Sequence, residues 1–218
     1  MSIDPAAIVV LPVAVLSVVV HEVAHGVMAS WRGDPTAREH GRLTLNPLPH
    51  LDPVGSLLLP GLLVVLHAPF VFGWAKPVPI DWARLKSPRN DPVWVALAGP
   101  ASNALLALLF AAQARVAPVT GFLAPLRVMG IAGVVWNCAL GLFNLLPIPP
   151  LDGSWVLMRF LPLRHIIALR QFRLLGLALI MVVLASPGIS KAVIGTPLDL
   201  AVGACLELFG VPRGPGTP

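Results

Sequence analysis

Long runs of apolar residues alternate with short polar segments along this chain. The first run begins at Ala6 and continues, past a few polar residues, to Trp31, so we expect a helix over 5–31. Further helices are predicted over 92–113 and 127–146, where the apolar runs approach the ~20 residues that a bilayer requires. The pattern therefore predicts an all-α polytopic membrane protein with about five or six transmembrane helices. Shorter apolar stretches lie at 54–72, 174–185 and 198–211, and the pattern does not decide whether each of them spans the membrane.

Two segments between these helices follow other patterns. Gly41–Leu45 alternates like a short strand, and Phe70–Pro79 contains prolines that exclude a regular helix. The stretch 54–72 is interrupted by Pro60-Gly61 and Ala68-Pro69, which suits a re-entrant hairpin packed inside protein. We therefore expect a re-entrant segment over 54–79 and short membrane-associated strands.

The positions of the basic residues favour this topology. If 54–72 crosses the membrane, the 15 Lys and Arg residues divide nine to six between the two sides; if it is re-entrant, they divide twelve to three. The second division agrees better with the positive-inside rule. It predicts an outside N-terminus, with residues 35–50 and 80–90 together on the cytoplasmic side.

Composition agrees with a membrane protein. Hydrophobic residues make up 56% of the 218 residues, charged residues only 11%, and the mean hydropathy is +0.83. No basic cluster interleaved with aromatic residues accompanies the net charge of +5, so we expect no nucleic-acid partner. Cys138 and Cys205 lie in apolar stretches and indicate no disulfide framework. We expect one integral membrane domain over 1–211 and a disordered tail over 212–218.

The candidate chemistry begins with His21-Glu22-Val23-Ala24-His25, near the end of the first apolar run. Positions i and i+4 share one face of a helix, so both imidazoles can bind one metal ion. Glu22 lies beside them, in a position to act as a general base. Ionisable groups inside an apolar span are costly, and this cost indicates a function.

A catalytic zinc site uses three protein ligands and keeps one position open, so the histidine pair needs a third ligand. Asp152 is the leading candidate, because it follows the predicted helix 127–146 and a proline-rich run that bring a carboxylate to the end of a span. His50 is the chief alternative, followed by His67 and Asp52.

Two further motifs accompany HEVAH: AGPASN at 98–103 and NLLPIPPLDG at 144–153. The three motifs in this order, with most of residues 6–158 accounted for, resemble the site-2 protease family of intramembrane zinc metalloproteases. This chain looks like the compact kind, without PDZ or CBS domains. The resemblance implies one zinc ion per chain held by His21, His25 and Asp152, with Glu22 as catalytic base and Asn144 bonded to the substrate backbone.

The resemblance also implies hydrolysis of a peptide bond within or near the transmembrane segment of a membrane protein, in regulated proteolysis or clearance of remnant peptides. The expected partners are a transmembrane protein or peptide substrate and membrane lipids, and the expected location is the cell membrane, as a multi-pass protein with its site near the cytoplasmic side. A metal transporter and a catalytically inactive membrane scaffold stay open as alternatives. We interpret Asn103 as a polar contact between helices, the commoner role of asparagine in a span.

Overall fold

The computed structural model describes residues 5–67, 73–171 and 173–212, and within these residues it contains helices and loops but no β-strand. The expected tail, apart from Pro212, lies outside the described residues. The α-helices are α1 Pro5–Trp31, α2 Thr36–Glu39, α3 Leu59–Val65, α4 Asp91–Val116, α5 Pro125–Asn144, α6 Gly153–Met158, α7 Leu163–Gln171, α8 Arg173–Ala185, α9 Pro187–Ser190 and α10 Thr196–Leu208. A 3-10 turn at Leu48–His50 and π-helical segments at Pro53–Leu58 and Lys191–Gly195 complete the described helices.

Four helices among the described residues are long and apolar enough to cross a membrane. The expectation of five or six spans therefore goes beyond what the fold supports. The helix pair α7 and α8, bent by 64°, would make a fifth only if taken as one span. The stretch Pro53–Val65 gives at most about 20 Å of helix against the ~30 Å of a bilayer core. The four helices are Val10–Trp31, Asp91–Val116, Pro125–Asn144 and Pro187–Leu208.

The last of these spans starts earlier than the hydropathy pattern indicated. We expected an apolar segment at 198–211, but the helical path begins at Pro187 and passes through the π-helical segment into α10. The polar residue Lys191 lies between Pro187 and the expected start, and it hides the full length of the span from a search for apolar runs.

The predicted strand at Gly41–Leu45 is wrong, because the structure gives these residues no strand and no partner strand. Side chains hold this segment instead of a main-chain ladder. Arg42 donates from Nη2 to the Lys76 carbonyl at 2.8 Å, and the Thr44 carbonyl lies 3.0 Å from His50 Nε2. Of the loop expected at 70–79, residues 70–72 lie outside the described part, and 73–79 have neither helix nor strand.

The helices α1, α4 and α5 form the core, and small residues let them approach closely. A Cβ atom at Gly130 would lie 2.8 Å from Ala114, and one at Gly133 would lie 2.2 Å from a Phe110 ring carbon. Such close approach of neighbouring helices at small residues is typical of helices that pack within a membrane. Helix α10 covers this core through Val202.

The connection between α1 and α4 returns to the end of α1 from which it leaves. Arg32 pairs with Asp91 at 3.4 Å, and the Asp34 carboxylate accepts a hydrogen bond from the Asp81 amide at 2.7 Å. Arg84 also pairs with Glu39 at 2.8 Å. These contacts bring together the two segments that the re-entrant topology places on one side.

Candidate metal centre

Helix α1 presents His21 and His25 on one face, as the i, i+4 spacing predicts. Both imidazoles are buried, with 4% and 7% of the residue surface exposed. Their Nε2 atoms lie 3.1 Å apart, and the ring planes meet at 88°. The two ring nitrogens therefore point toward one position.

A main-chain carbonyl determines where the proton of His25 resides. The Nδ1 atom of His25 lies 2.7 Å from the Val95 carbonyl oxygen of α4. Since a carbonyl can only accept, Nδ1 carries the hydrogen, and Nε2 of the neutral ring keeps its lone pair. The corresponding Nδ1 of His21 lies 2.6 Å from Oδ1 of Asn103, also on α4. Asn103 therefore makes the polar contact between helices that we expected, and its partner on α1 is a predicted metal ligand.

The third group is Asp152, which lies just before α6. Its Oδ2 atom is 3.3 Å from Nε2 of both His21 and His25. The turn is tight: a Cβ at Gly153 would lie 2.1 Å from the Leu145 carbonyl oxygen. Helix α6 is held further by stacking of Trp155 on Trp82, with ring centroids 4.1 Å apart. A proline-rich path and this turn bring Asp152 to the histidine pair.

The three converging atoms fit a zinc ion. A tetrahedral site with bonds of about 2.0–2.1 Å separates neighbouring ligands by about 3.3–3.4 Å, close to the 3.1, 3.3 and 3.3 Å found here. Asp152 Oδ2 is buried and receives no hydrogen bond from any described residue. Buried acceptors that face one another without a donor are unfavourable unless a cation lies between them. The donor set of two imidazoles and a carboxylate suits zinc.

The absence of a side chain at Gly99 makes room for the histidines. A Cβ atom there would lie 2.5 Å from both His21 Cε1 and His25 Nε2. Gly99 belongs to the AGPASN motif, so this motif supplies space through one residue and a hydrogen-bond acceptor through Asn103. The place of Gly99 four positions before Asn103, on the same helix face, is a signal that the sequence already carries.

Glu22 makes a contact that the sequence did not suggest. Its Oε2 atom accepts a hydrogen bond of 3.0 Å from the backbone N–H of Val78. Val78 is 5% exposed, and its side chain packs near Gly26, next to His25. The non-helical segment 73–79 therefore reaches the residue expected to be the base.

The alternative third ligands lie elsewhere. His50 is buried, but its Nε2 atom lies 3.0 Å from the Thr44 carbonyl. Asp52 accepts the amides of Val54 and Gly55 and so caps the π-helical segment Pro53–Leu58. His67 is exposed. Among the described residues, only His21, His25 and Asp152 form a group that could hold a metal.

Asn144, expected at the substrate backbone, lies at the last position of α5. Its Nδ2 atom donates to the Leu140 carbonyl at 3.0 Å, and the residue is partly buried. Its role toward a substrate stays a prediction.

The fold and the site together define a class: a helical protein with membrane-type spans, in which two histidines and an aspartate converge and could hold a metal ion. The Bacillus subtilis protein named "Putative zinc metalloprotease YwhC" is 34% identical over 201 residues, covering 89% of this chain and 88% of the relative. The chain therefore belongs to the same family of zinc metalloproteases.

Mycobacterial relatives agree with this membership. The Mycolicibacterium smegmatis protein named "Putative zinc metalloprotease Rip2" is 34% identical over 183 residues, or 81% of this chain and 66% of the relative. Rip2 of Mycobacterium tuberculosis is 36% identical over 143 residues, or 63% of this chain and 51% of the relative. No family model matches the chain, and no solved structure matches it.

Proposed function

We propose that this protein is an intramembrane zinc metalloendopeptidase, which hydrolyses a peptide bond within or near the transmembrane segment of a membrane protein. The observation that carries the proposal is the convergence of three metal-ligating atoms on a membrane-type helix. His25 and His21 precede the end of α1 at Trp31 by roughly 9 and 15 Å of helix. A site at that depth can reach a substrate helix below the bilayer surface.

In this proposal His21, His25 and Asp152 hold one zinc ion per chain. When bound, the ion acts as a Lewis acid and lowers the pKa of water toward ~7. Glu22 is the general base, which takes a proton from water and delivers it to the leaving amine. The Val78 N–H holds one carboxylate oxygen of Glu22, so the other oxygen is the one proposed to carry the proton.

A substrate helix must unwind before its carbonyls are accessible, and lipid offers no replacement hydrogen bonds. We propose that segment 73–79 supplies them. Its alternate amides, those of Trp74, Lys76 and Val78, donate to Gly55, His50 and Glu22. In an extended chain the N–H and carbonyl of Ala75 and the carbonyl of Pro77, which has no N–H, point the opposite way, toward a possible partner strand. Asn144 would add a side-chain amide to this edge.

The proposed location is the cell membrane, with the site near the cytoplasmic face. The support is the twelve-to-three division of basic residues together with the contacts of Arg32, Asp34 and Arg84 described above. Single cysteines introduced at exposed positions in 35–50 and 80–90 should be labelled from the same, cytoplasmic face. Labelling of the two segments from opposite faces would contradict this topology.

The decisive experiment for the function is Glu22→Gln, which removes the base and keeps the shape of the side chain. Purified wild type and variant are compared for zinc content and for cleavage of co-expressed single-span protein fragments, read by product mass. We expect equal zinc content and a fall in cleavage of roughly 10²–10⁴-fold. His21→Ala serves as the control that loses zinc and cleavage together.

The same experiment separates the alternative functions. A metal transporter should show no product with any fragment, and its Glu22→Gln variant should change metal flux and metal affinity together. A membrane scaffold should bind partners equally well with or without zinc. Either result, with zinc-loaded wild type that cleaves none of the fragments, would contradict the proposal.

A further inference from the structure

A chain of buried hydrogen bonds begins at His21 and crosses three helices. Asn103 of α4 faces His21 with Oδ1 and donates from Nδ2 to Oδ1 of Asn137 on α5, at 2.9 Å. Asn137 Nδ2 donates to Ser17 Oγ of α1 at 2.9 Å and to the Gly133 carbonyl at 2.8 Å. The side chains of Asn103 and Asn137 are fully buried, and Ser17 is 1% exposed.

The direction of every bond in this chain is determined by a main-chain carbonyl at its far end. The Gly133 carbonyl can only accept, so Asn137 must direct its NH2 group there and its Oδ1 toward Asn103. Asn103 must then present its NH2 group to Asn137, which leaves its Oδ1 for His21. An amide oxygen cannot donate, so His21 Nδ1 carries the hydrogen, and its Nε2 keeps a lone pair.

We infer that Asn103, oriented by Asn137, is a positioning residue that holds His21 in the tautomer able to bind metal through Nε2. This inference rests on the proposed function, because the tautomer of His21 matters only if its Nε2 atom is a metal ligand. Hydrogen bonds to the second nitrogen of a ligating histidine generally fix its tautomer and orientation. Here an amide does so, and a second amide is needed to keep the first from turning over.

Asn137 and Ser17, which follow Asn103 in this chain of hydrogen bonds, should differ in their effect on the tautomer of His21. Without the Asn137 side chain, Asn103 is free to rotate by half a turn and offer its NH2 group to His21, which favours the opposite tautomer, with hydrogen on Nε2. Without the Ser17 hydroxyl, Asn137 still has the Gly133 carbonyl to direct it. Ser17 also bonds to Val13 of its own helix, so it is redundant for the direction of the chain.

The test measures zinc affinity and thermal stability side by side for full-length variants in detergent. We expect Asn103→Leu to weaken zinc binding by about 10–100-fold, Asn137→Leu by less, and Ser17→Ala hardly at all. If the asparagines only join helices, the order of zinc affinities should instead follow the order of melting temperatures. That result would overturn the inference.

Asn103→Asp separates the two roles within one residue. A carboxylate keeps an acceptor facing His21 but loses the donor to Asn137, so it should destabilise the bundle while retaining most of the zinc affinity lost in Asn103→Leu. Equal loss of zinc affinity in both variants would contradict a positioning role.

A spectroscopic measurement tests the tautomer without any metal. Nitrogen-15 NMR of the imidazole of His21 in zinc-free wild type should show hydrogen on Nδ1, and Asn103→Leu should show a mixture of tautomers. Hydrogen on Nε2 in the wild type would overturn the inference even if the enzyme is active. Conversely, a wild type that binds no zinc but shows hydrogen on Nδ1 would contradict the proposed function and leave the tautomer assignment standing.

Discussion

Two elements pack against the metal-binding face of α1, and they contribute in different ways. The helical wall, which consists of Val95, Gly99 and Asn103 of α4, contacts the imidazoles of the histidine pair. The extended wall, segment 73–79, offers a backbone N–H to Glu22. One wall acts on metal ligands and the other on the proposed base. Damage to the two should therefore have separable consequences, in metal binding for the first and in turnover for the second.

The largest effect is expected from Gly99→Ala in the helical wall. The new Cβ would lie 2.5 Å from His25 Nε2 and from His21 Cε1, so the imidazoles must move. Strain of this kind corresponds to a loss of zinc affinity of roughly 100-fold, measured by competition with a chelator. Gly61→Ala in α3 is the matched control, because nothing lies within 4 Å of its new Cβ. Comparable zinc affinity in the two variants would show that α4 does not shape the site.

Val78→Pro is the corresponding change in the extended wall. Proline removes the N–H that binds Glu22, and a hydrogen bond to a charged group is worth about 1.5–3 kcal/mol. We expect kcat/KM for a single-span fragment to fall roughly 10–100-fold while zinc content stays that of wild type. Val78→Ala keeps the N–H and should lose stability rather than turnover. Loss of zinc in Val78→Pro would show that the extended wall also affects metal binding, so that the effects of the two walls are not separable.

Arg42→Leu should have a smaller effect of the same kind. The buried Arg42 side chain donates to the carbonyls of Lys76 and Pro77. It therefore holds in place the extended wall, the segment whose backbone binds Glu22. Cleavage should fall by a few-fold with zinc content unchanged. Arg84→Leu, at an exposed ion pair in the same connection, is the control and should leave both quantities as in wild type. An Arg84 variant as impaired as the Arg42 variant would remove the special role of this anchor.

His50→Ala should have the smallest effect on the centre itself. The His50 side chain is hydrogen-bonded to the Thr44 carbonyl, a contact that stabilises the loop packed beside the extended wall. Its loss should lower the melting temperature and leave the zinc content unaffected. Analysis of metal content by mass spectrometry checks this expectation. If the His50→Ala variant kept its fold but bound no zinc, His50 would again be a candidate metal ligand.

The difference between the walls also explains how much the sequence could predict. The pair His21 and His25 follows from helical spacing, and Asp152 was favoured because a carboxylate ends a proline-rich run after a span. These ligands, and the helices α1, α4 and α5, carry strong local patterns. The helical wall was half predictable: its motif was visible, but the contact between Asn103 and His21 joins residues 82 positions apart.

The extended wall had no comparable signal. A backbone N–H, such as that of Val78, is present at every residue except proline, so nothing in the residue type marks the one that meets Glu22. The alternation at Gly41–Leu45 predicted a strand, yet alternation alone does not provide a partner strand, and Arg42 and His50 bind the neighbouring segment through side chains. Polar positions inside Pro187–Leu208 likewise concealed the start of the last span.

The central claim is that two imidazoles and one distant carboxylate hold a single zinc ion. Zinc content per chain, measured on purified wild type, Asp152→Ala and Asp52→Ala, tests it most directly. We expect one zinc in the wild type, one in Asp52→Ala, whose carboxylate only caps a π-helical segment, and none in Asp152→Ala. A full complement of zinc in Asp152→Ala would contradict the account.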